Sequence, residues 1–146
     1  MDASIWRPGI LLRVSTSDND DEQLADRWHD LMSRYHHTMC ALDKALLDGH
    51  GITVSEFEVL QQLERARRDH GEVRMQLLAE NVHLSQSALS RVVAALEKAS
   101  LVERAVCTED RRSVWVKLTG AGADRLAKAT PTHREVLRQQ APVARG

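Results

Sequence analysis

Small and polar side chains are concentrated at positions 85–91 of the chain. They are Ser85, Gln86, Ser87, Ala88, Ser90 and Arg91. A glutamine amide can pair with adenine through two hydrogen bonds, and an arginine can pair in the same way with guanine or bind a phosphate. Serine hydroxyls bind phosphates or bases where a helix comes close to them. The cluster therefore has the chemistry of a DNA contact, although the same residues also suit a solvated helix start.

The sequence around this cluster predicts two helices joined by a tight turn. Ser85 is a suitable N-cap for the second of them. Its buried face is predicted by apolar residues at the i, i+3, i+4, i+7 spacing, at Leu89, Val92, Val93 and Leu96. The preceding helix runs through Leu77, Leu78 and Val82, and His83-Leu84 forms the turn. This order is typical of a helix-turn-helix, whose second helix lies in the major groove of DNA.

A β-hairpin is predicted after Leu101. Val102–Val106 and Ser113–Leu118 are the strands, and a polar tip runs from Cys107 to Arg112. The tip carries Asp110, Arg111 and Arg112, and an arginine on a narrow hairpin suits the negative potential of a minor groove. The rival interpretation is an exposed tip with no partner. We expect Trp115 to pack on the domain rather than to stack on a base.

The remaining pattern is helical. After a mixed segment broken by Pro8-Gly9 and a polar linker from Ser15 to Asp21, we predict a long helix to about Leu47. Its apolar stripe consists of Leu24, Trp28, Leu31, Met32, Tyr35, Met39, Leu42 and Leu46. Thr53 and Glu56 have the spacing of a capping box at the start of the next helix. Thr119-Gly120 begins a last helix, which Pro131 is expected to bend or interrupt.

Composition fits one soluble domain of 146 residues, with a core that is mainly aliphatic because only 3% of the residues are aromatic. The net charge is only −1, so contact with nucleic acid needs a local basic patch. Residues 85–118 carry six basic and four acidic side chains, whereas residues 17–48 carry three basic and eight acidic ones. Two cysteines and the lack of a long apolar run predict a cytoplasmic protein without a membrane span.

No motif indicates an enzyme, since a hydrolase elbow, a phosphate loop and a zinc-protease motif are all missing. We expect no cofactor. His29, His36 and His37 lie on the first helix, but adjacent histidines point in different directions, so we expect no metal site. Cys40 is expected to be buried and inert. Cys107 is expected to be exposed, without the basic neighbours that lower a thiol pKa, apart from Arg104.

Four segments together resemble the MarR family of bacterial transcriptional regulators. They are the run from Leu84 to Val93, Leu96-Glu97-Lys98, the run from Glu109 to Val114, and Leu118-Thr119-Gly120-Ala121-Gly122. The resemblance covers roughly Asp20 to Pro131. It implies a homodimer that carries a winged helix-turn-helix on each subunit, binds a palindromic operator and is often released by a small ligand or by oxidation.

By the same resemblance, Ser85–Ala88, Ser90 and Arg91 match the face of the recognition helix that enters the major groove. Asp110 and Arg112 match a pair at the tip of the wing, in which the aspartate braces an arginine in the minor groove. An effector site would lie between the first, second and fifth helices, where Trp28, His29, Tyr35 and His36 have suitable chemistry for a small, perhaps phenolic, ligand. Helical spacing favours the core for Trp28 and Tyr35.

The chain departs from the family after the wing, because only 27 residues follow Thr119. We therefore expect the N-terminal segment, with Ile5, Trp6, Ile10, Leu11 and Leu12, to add apolar area to the dimer interface.

The prediction is a mainly α (α+β) winged helix-turn-helix with a long N-terminal dimerisation helix and a two-stranded wing. Its parts are an N-terminal arm (1–19), a helical dimerisation region (20–52 and 120–146) and a DNA-binding domain (53–119). The predicted function is a homodimeric regulator of double-stranded DNA, most simply a repressor. The alternative is a winged-helix module that binds a protein partner without specific DNA binding.

Overall fold

Five helices and three strands form the chain in a computed structural model that describes residues 8–69, 71–106, 109 and 113–141, and only the backbone of residues 8–17. The elements are α1 (Pro8–His50), α2 (Val54–Asp69), β1 (Glu72–Arg74), α3 (Met75–Val82), α4 (Gln86–Lys98), β2 (Val102–Val106), β3 (Val114–Leu118) and α5 (Gly120–Gln140). The chain divides into one unit up to Thr38 and another from Met39 onward. No helix in the described part is long and apolar enough to cross a membrane.

Helix α1 is longer than the sequence predicted. It runs from Pro8 to His50 without a break, so the expected linker at residues 15–21 is wrong. Proline is well tolerated in the first turn of a helix, where its missing N–H has no intrahelical partner to lose. The helix ends at His50 rather than near Leu47, and Gly51 follows with a left-handed φ of 66°. Ile5 and Trp6, and the side chains of Ile10, Leu11 and Leu12, lie outside the described residues, so their predicted role remains untested.

Helix α2 starts at the predicted capping box. The backbone N–H of Glu56 donates to Thr53 Oγ1 at 3.1 Å, and the backbone N–H of Thr53 donates to Glu56 Oε2 at 3.0 Å. The carboxylate of Asp43 on α1 accepts a third hydrogen bond, from the backbone N–H of Val54 at 2.7 Å. These bonds satisfy N–H groups that a helix start otherwise leaves without a partner.

The sheet is antiparallel, with strand order β1-β3-β2. The predicted β2–β3 hairpin is confirmed, with Val102 opposite Leu118 and Val106 opposite Val114. Strand β1 adds a third strand on the other edge of β3, where Arg74 pairs with Trp115. Because β1 directly precedes α3, this pairing fixes the start of the helix-turn-helix against the wing.

Every element of the second unit contributes side chains to its hydrophobic core. Phe57, Leu60 and Leu63 of α2 are fully or almost fully buried, and Leu89, Val93 and Leu96 of α4 pack into the same cluster. This confirms the predicted buried face of α4, although Val92 is only partly buried. Burial of one such side chain contributes about 1.5–3 kcal/mol. The core thus holds the back of α4 and leaves its other face to solvent.

Helix α5 continues through Pro131, so the helix is not interrupted there. On both sides of the proline, side chains of α5 contact other elements of the second unit. The ring of the buried His133 stacks on Phe57 with centroids 4.2 Å apart, and the guanidinium of Arg125 donates to the carbonyl of His50 at 2.9 Å. We infer that this packing offsets the roughly 3 kcal/mol that an interior proline costs a helix.

Candidate DNA-binding surface

The start of α4 is built as the sequence predicted. Ser85 has extended backbone angles, and its Oγ accepts a hydrogen bond from the backbone N–H of Ala88 at 3.2 Å. The turn before it reverses at His83, which adopts a left-handed conformation with a φ of 56°. The backbone N–H of Leu84 then donates to the carbonyl of Ala79 at 3.3 Å. Capping and turn together fix the direction in which α4 leaves α3.

The predicted contact residues are presented to solvent on the first two turns of α4. Ser85, Gln86, Ser87, Ser90 and Arg91 are exposed, and Ala88 is partly buried. Leu89 lies between them and is fully buried. The polar side chains therefore share the face that the core leaves free, and small neighbours allow a groove of DNA to come close to the helix.

A cleft of about 530 Å³ lies between the start of α4 and the base of the wing. Its lining is Arg74, Met75, Gln76, Gln86, Ser90, Arg104, Ser113 and Val114. Two of these residues are arginines that the sequence-based list of contact residues did not include. Arg74 and Arg104 lie in separate strands and far apart in sequence, so only the β1-β3-β2 order shows that they line one cleft. The cleft brings positive charge to the side of the polar helix face.

A charge-assisted contact positions Arg104 in this cleft. Its guanidinium donates to both carboxylate oxygens of Glu97, from Nε to Oε2 at 3.3 Å and from a terminal nitrogen to Oε1 at 3.1 Å. This hydrogen-bonded arginine lowers the pKa of Glu97 from its ordinary value of 4.5. Because Glu97 belongs to α4 and Arg104 to β2, the pair connects α4 to the β2–β3 hairpin.

Arg74 is positioned by an aromatic ring. Its guanidinium carbon lies 5.0 Å from the centre of the Trp115 ring, within the range of a cation–π contact. Trp115 is partly buried and belongs to β3, the central strand of the sheet. The tryptophan thus packs on the domain, as expected, and also supports the arginine beside the cleft.

The predicted contacts at the tip of the wing cannot be compared with the structure. Asp110, Arg111 and Arg112 lie outside the described residues, as does Cys107. Glu109 is described and exposed. The minor-groove role of the arginines therefore remains a prediction.

The side chains considered for an effector site are all exposed on α1. Trp28 is 62% exposed and Tyr35 is 65% exposed, so the expectation that they belong to the core of the single chain is wrong. His29 and His36 are also exposed, which leaves the ligand-binding prediction untested. Cys40 is exposed as well, contrary to the prediction of a buried thiol. Helical spacing identified the apolar face of α1 correctly, but periodicity does not state what covers that face.

No group of three or more histidine, cysteine, aspartate or glutamate side chains within the described ranges is arranged to hold a metal ion.

Comparison with known proteins gives one consistent family. The profile of the MarR family matches residues 52–114, which run from the start of α2 into the wing. No curated protein sequence matches the chain.

Solved structures match over most of the chain. Sco3205 of Streptomyces coelicolor, a MarR family transcriptional regulator in complex with DNA, is similar at 30% identity and a TM-score of 0.72, over 84% of this chain and 74% of that one. AbsC of the same organism, also of the MarR family, gives 31% identity and a TM-score of 0.69, over 83% and 78%. BldR of Sulfolobus solfataricus, a transcriptional regulator, gives 25% identity and a TM-score of 0.73, over 86% of each chain.

Proposed function

The chain belongs to the MarR family of transcriptional regulators, and we propose that it is a homodimer that binds a palindromic operator in double-stranded DNA and represses the adjacent genes. The family consists of regulators rather than enzymes. The observation that carries the proposal is the exposed polar face of α4 beside a cleft lined by two arginines. Sco3205 supports it, because that relative was solved with DNA.

In the proposed complex, α4 enters the major groove. Gln86 and Arg91 are the side chains that can form bidentate pairs with base edges, and Ser85, Ser87 and Ser90 are short enough for close contacts. Arg74 and Arg104 line the adjacent cleft and supply phosphate contacts, which set affinity and register rather than sequence. Base contacts and phosphate contacts thus lie side by side along one surface.

We assign the tip of the wing to the minor groove. Arg112 is the arginine proposed to enter it, with Asp110 bracing its guanidinium and Arg111 beside it. This assignment rests on the family pattern of these residues and on the attraction of a narrow minor groove for arginine. It predicts a preference for A·T-rich sequence next to the major-groove site.

The homodimer is supported by the uncovered side chains of α1. Leu24, Trp28, Leu31, Met32 and Tyr35 recur at helical spacing, and each is between 52% and 65% exposed. A continuous apolar stripe of this kind is typical of an interface. A second copy of the same helix covers it most simply, since closed two-fold pairs are the commonest assembly of soluble proteins. We propose that the N-terminal arm extends this interface.

We also propose that binding of a small molecule releases the protein from DNA. An effector would act by changing the distance between the two recognition helices of the dimer, because both must reach successive major grooves.

Fluorescence anisotropy with the DNA upstream of the protein's own gene tests DNA binding. We expect binding that weakens steeply between low and physiological salt. Arg91→Ala and Arg112→Ala should each weaken it by about 1–3 kcal/mol. Lys128→Ala is the matched control, because it also removes one exposed positive charge but lies on α5, and it should bind as the wild type does.

Absent or salt-insensitive binding would contradict the proposal. That result would favour the alternative, a winged helix that binds a protein partner.

A further inference from the structure

A second cavity of about 530 Å³ lies in the winged-helix unit, with α2, β1, α3 and Trp115 of β3 as its walls. Its apolar lining consists of Ala66, Val73, Leu77, Leu78 and Trp115. Val73 and Leu78 are buried, whereas Leu77 is 52% exposed at the edge. This volume and an apolar lining with a few polar groups are characteristic of sites for small organic ligands.

The charged residues that line this cavity occur in oppositely charged pairs, and Gln62 and Asn81 are its uncharged polar residues. On α2, Arg65 and Asp69 are four residues apart and therefore lie on one helix face. On β1, Glu72 and Arg74 are two residues apart and therefore lie on one side of the strand, while Val73 points into the core. Each of these two walls thus offers one guanidinium and one carboxylate.

None of these four charged groups forms a salt bridge within the described residues. The ion pairs there are Arg67–Glu64, Arg104–Glu97, His133–Glu58 and Arg138–Glu135. Arg74 contacts the Trp115 ring, and a cation–π contact leaves the edge of its guanidinium free to donate hydrogen bonds. The cavity is therefore surrounded by donors and acceptors of both charges that form no salt bridge with any residue the structure describes.

We propose that this cavity binds a small zwitterion with an apolar body, in the class of the apolar α-amino acids. The guanidiniums of Arg65 and Arg74 receive the carboxylate, the carboxylates of Asp69 and Glu72 receive the ammonium group, and the side chain lies on Leu77 and Trp115. A simple anion would face two uncompensated carboxylates, and a simple cation would face two uncompensated guanidiniums. Only a ligand that carries both a carboxylate and an ammonium group can pair with all four charged side chains.

Arg74 connects this cavity to the DNA-facing cleft, because it lines both. A bound carboxylate would hold its guanidinium on the cavity side and take a positive charge away from the cleft. The ligand is therefore expected to weaken DNA binding, a step that rests on the proposed function. Binding of the ligand itself is independent of DNA.

Isothermal titration of the full-length protein with L-phenylalanine, in the absence of DNA, tests the site. We expect saturable binding, and at least about tenfold weaker binding of phenethylamine, which lacks the carboxylate, and of 3-phenylpropionate, which lacks the ammonium group. Arg65→Ala should lower the affinity for L-phenylalanine by about tenfold or more. Arg68→Ala is the matched control, since this exposed arginine of α2 does not line the cavity, and it should leave the affinity unchanged.

Three results would overturn the site: no binding of L-phenylalanine, equal or better binding of either single-charge analogue, or equal affinity of the Arg65→Ala and wild-type proteins. Folding of each variant is checked by its thermal melting. The coupling is tested by adding saturating L-phenylalanine to the protein–DNA complex, where an unchanged DNA affinity would overturn the coupling. A protein that binds the amino acid but no DNA would contradict the proposed function and leave the site standing.

Discussion

Arg104 shows how a single side chain can serve both fold and function. It contacts Glu97 through two hydrogen bonds, and it also lines the cleft proposed for phosphate contacts. A surface ion pair contributes little to stability by itself. The pair with Glu97 instead fixes the position of the flexible Arg104 guanidinium at the junction of α4 and the wing.

The Glu97 contact predicts a measurable titration. Because the folded-state pKa of Glu97 lies below its ordinary value of 4.5, the contact stabilises the fold at higher pH and is lost as the pH falls through that lowered pKa. In Arg104→Ala, the pKa of Glu97 should return toward 4.5. An NMR pH titration of the Glu97 carboxyl carbon measures both proteins. Identical Glu97 titration curves would show that the arginine does not set this pKa.

Gly122 gives a second prediction for a single residue. A Cβ at this position would lie 2.1 Å from the carbonyl oxygen of Leu101 and 2.7 Å from Leu118 Cδ1. Since the backbone carbonyl cannot move aside easily, Gly122→Ala should destabilise the protein by about 1–3 kcal/mol. Gly120→Ala is the control, because a Cβ there meets nothing within 4 Å, and its stability should stay unchanged or rise slightly. Chemical denaturation compares the two, and equal stabilities would refute the close approach.

Residues with local roles were predictable from sequence, and residues with tertiary roles were not. Ser85 and the Thr53–Glu56 box act on backbone groups within three positions, so their spacing identifies them. Arg74 and Arg104 are brought to one cleft by strand pairing, which the sequence does not specify. Cys40 was expected to be buried because it lies well inside the first helix, but its side chain is exposed.

At the scale of elements, periodicity located helices better than it located their ends. The polar segment from residue 15 to 21 and the proline at 131 both suggested breaks, yet α1 and α5 continue through them. Propensity is a weak determinant when packing or a favourable N-terminal position opposes it. The sequence did not predict that Glu72–Arg74 pairs with β3.

The apolar stripe of α1 gives the prediction for this scale. Leu31 is 59% exposed in the single chain, so Leu31→Asp should fold normally. If the stripe is the dimer interface, a buried unpaired carboxylate would be costly, and the variant should sediment as a monomer where the wild type is a dimer.

Gln23→Asp is the control for this variant. It introduces the same charge at an exposed position of α1 outside the stripe, and it should leave the wild-type dimer intact. A Leu31→Asp protein that stays dimeric would exclude this face as the interface.

At the scale of the whole molecule, the distribution of charge along the chain is more informative than the net charge. The net charge is −1, while the cleft proposed to face DNA is lined by Arg74 and Arg104 and by no acidic residue among those that the structure describes. Residues 17–48, on the helix proposed for the dimer, carry eight acidic and three basic side chains. Attraction to DNA therefore depends on the local positive charge of the cleft rather than on the net charge.

The proposed symmetric dimer constrains the spacing of the two half-sites in the operator. The two copies of α4 must reach major grooves that face the same side of the duplex, about 34 Å or one helical turn apart. Half-sites at that spacing, each next to an A·T-rich segment for the wing, are the expected operator.

Methylation-protection footprinting on the DNA upstream of the gene tests the central claim most directly, because it reports on guanine N7 in the major groove. Two protected patches with centres about 10 base pairs apart, both weakened by Arg91→Ala, are the predicted result. A single patch, or binding without major-groove protection, would contradict the proposal that two copies of α4 read the operator.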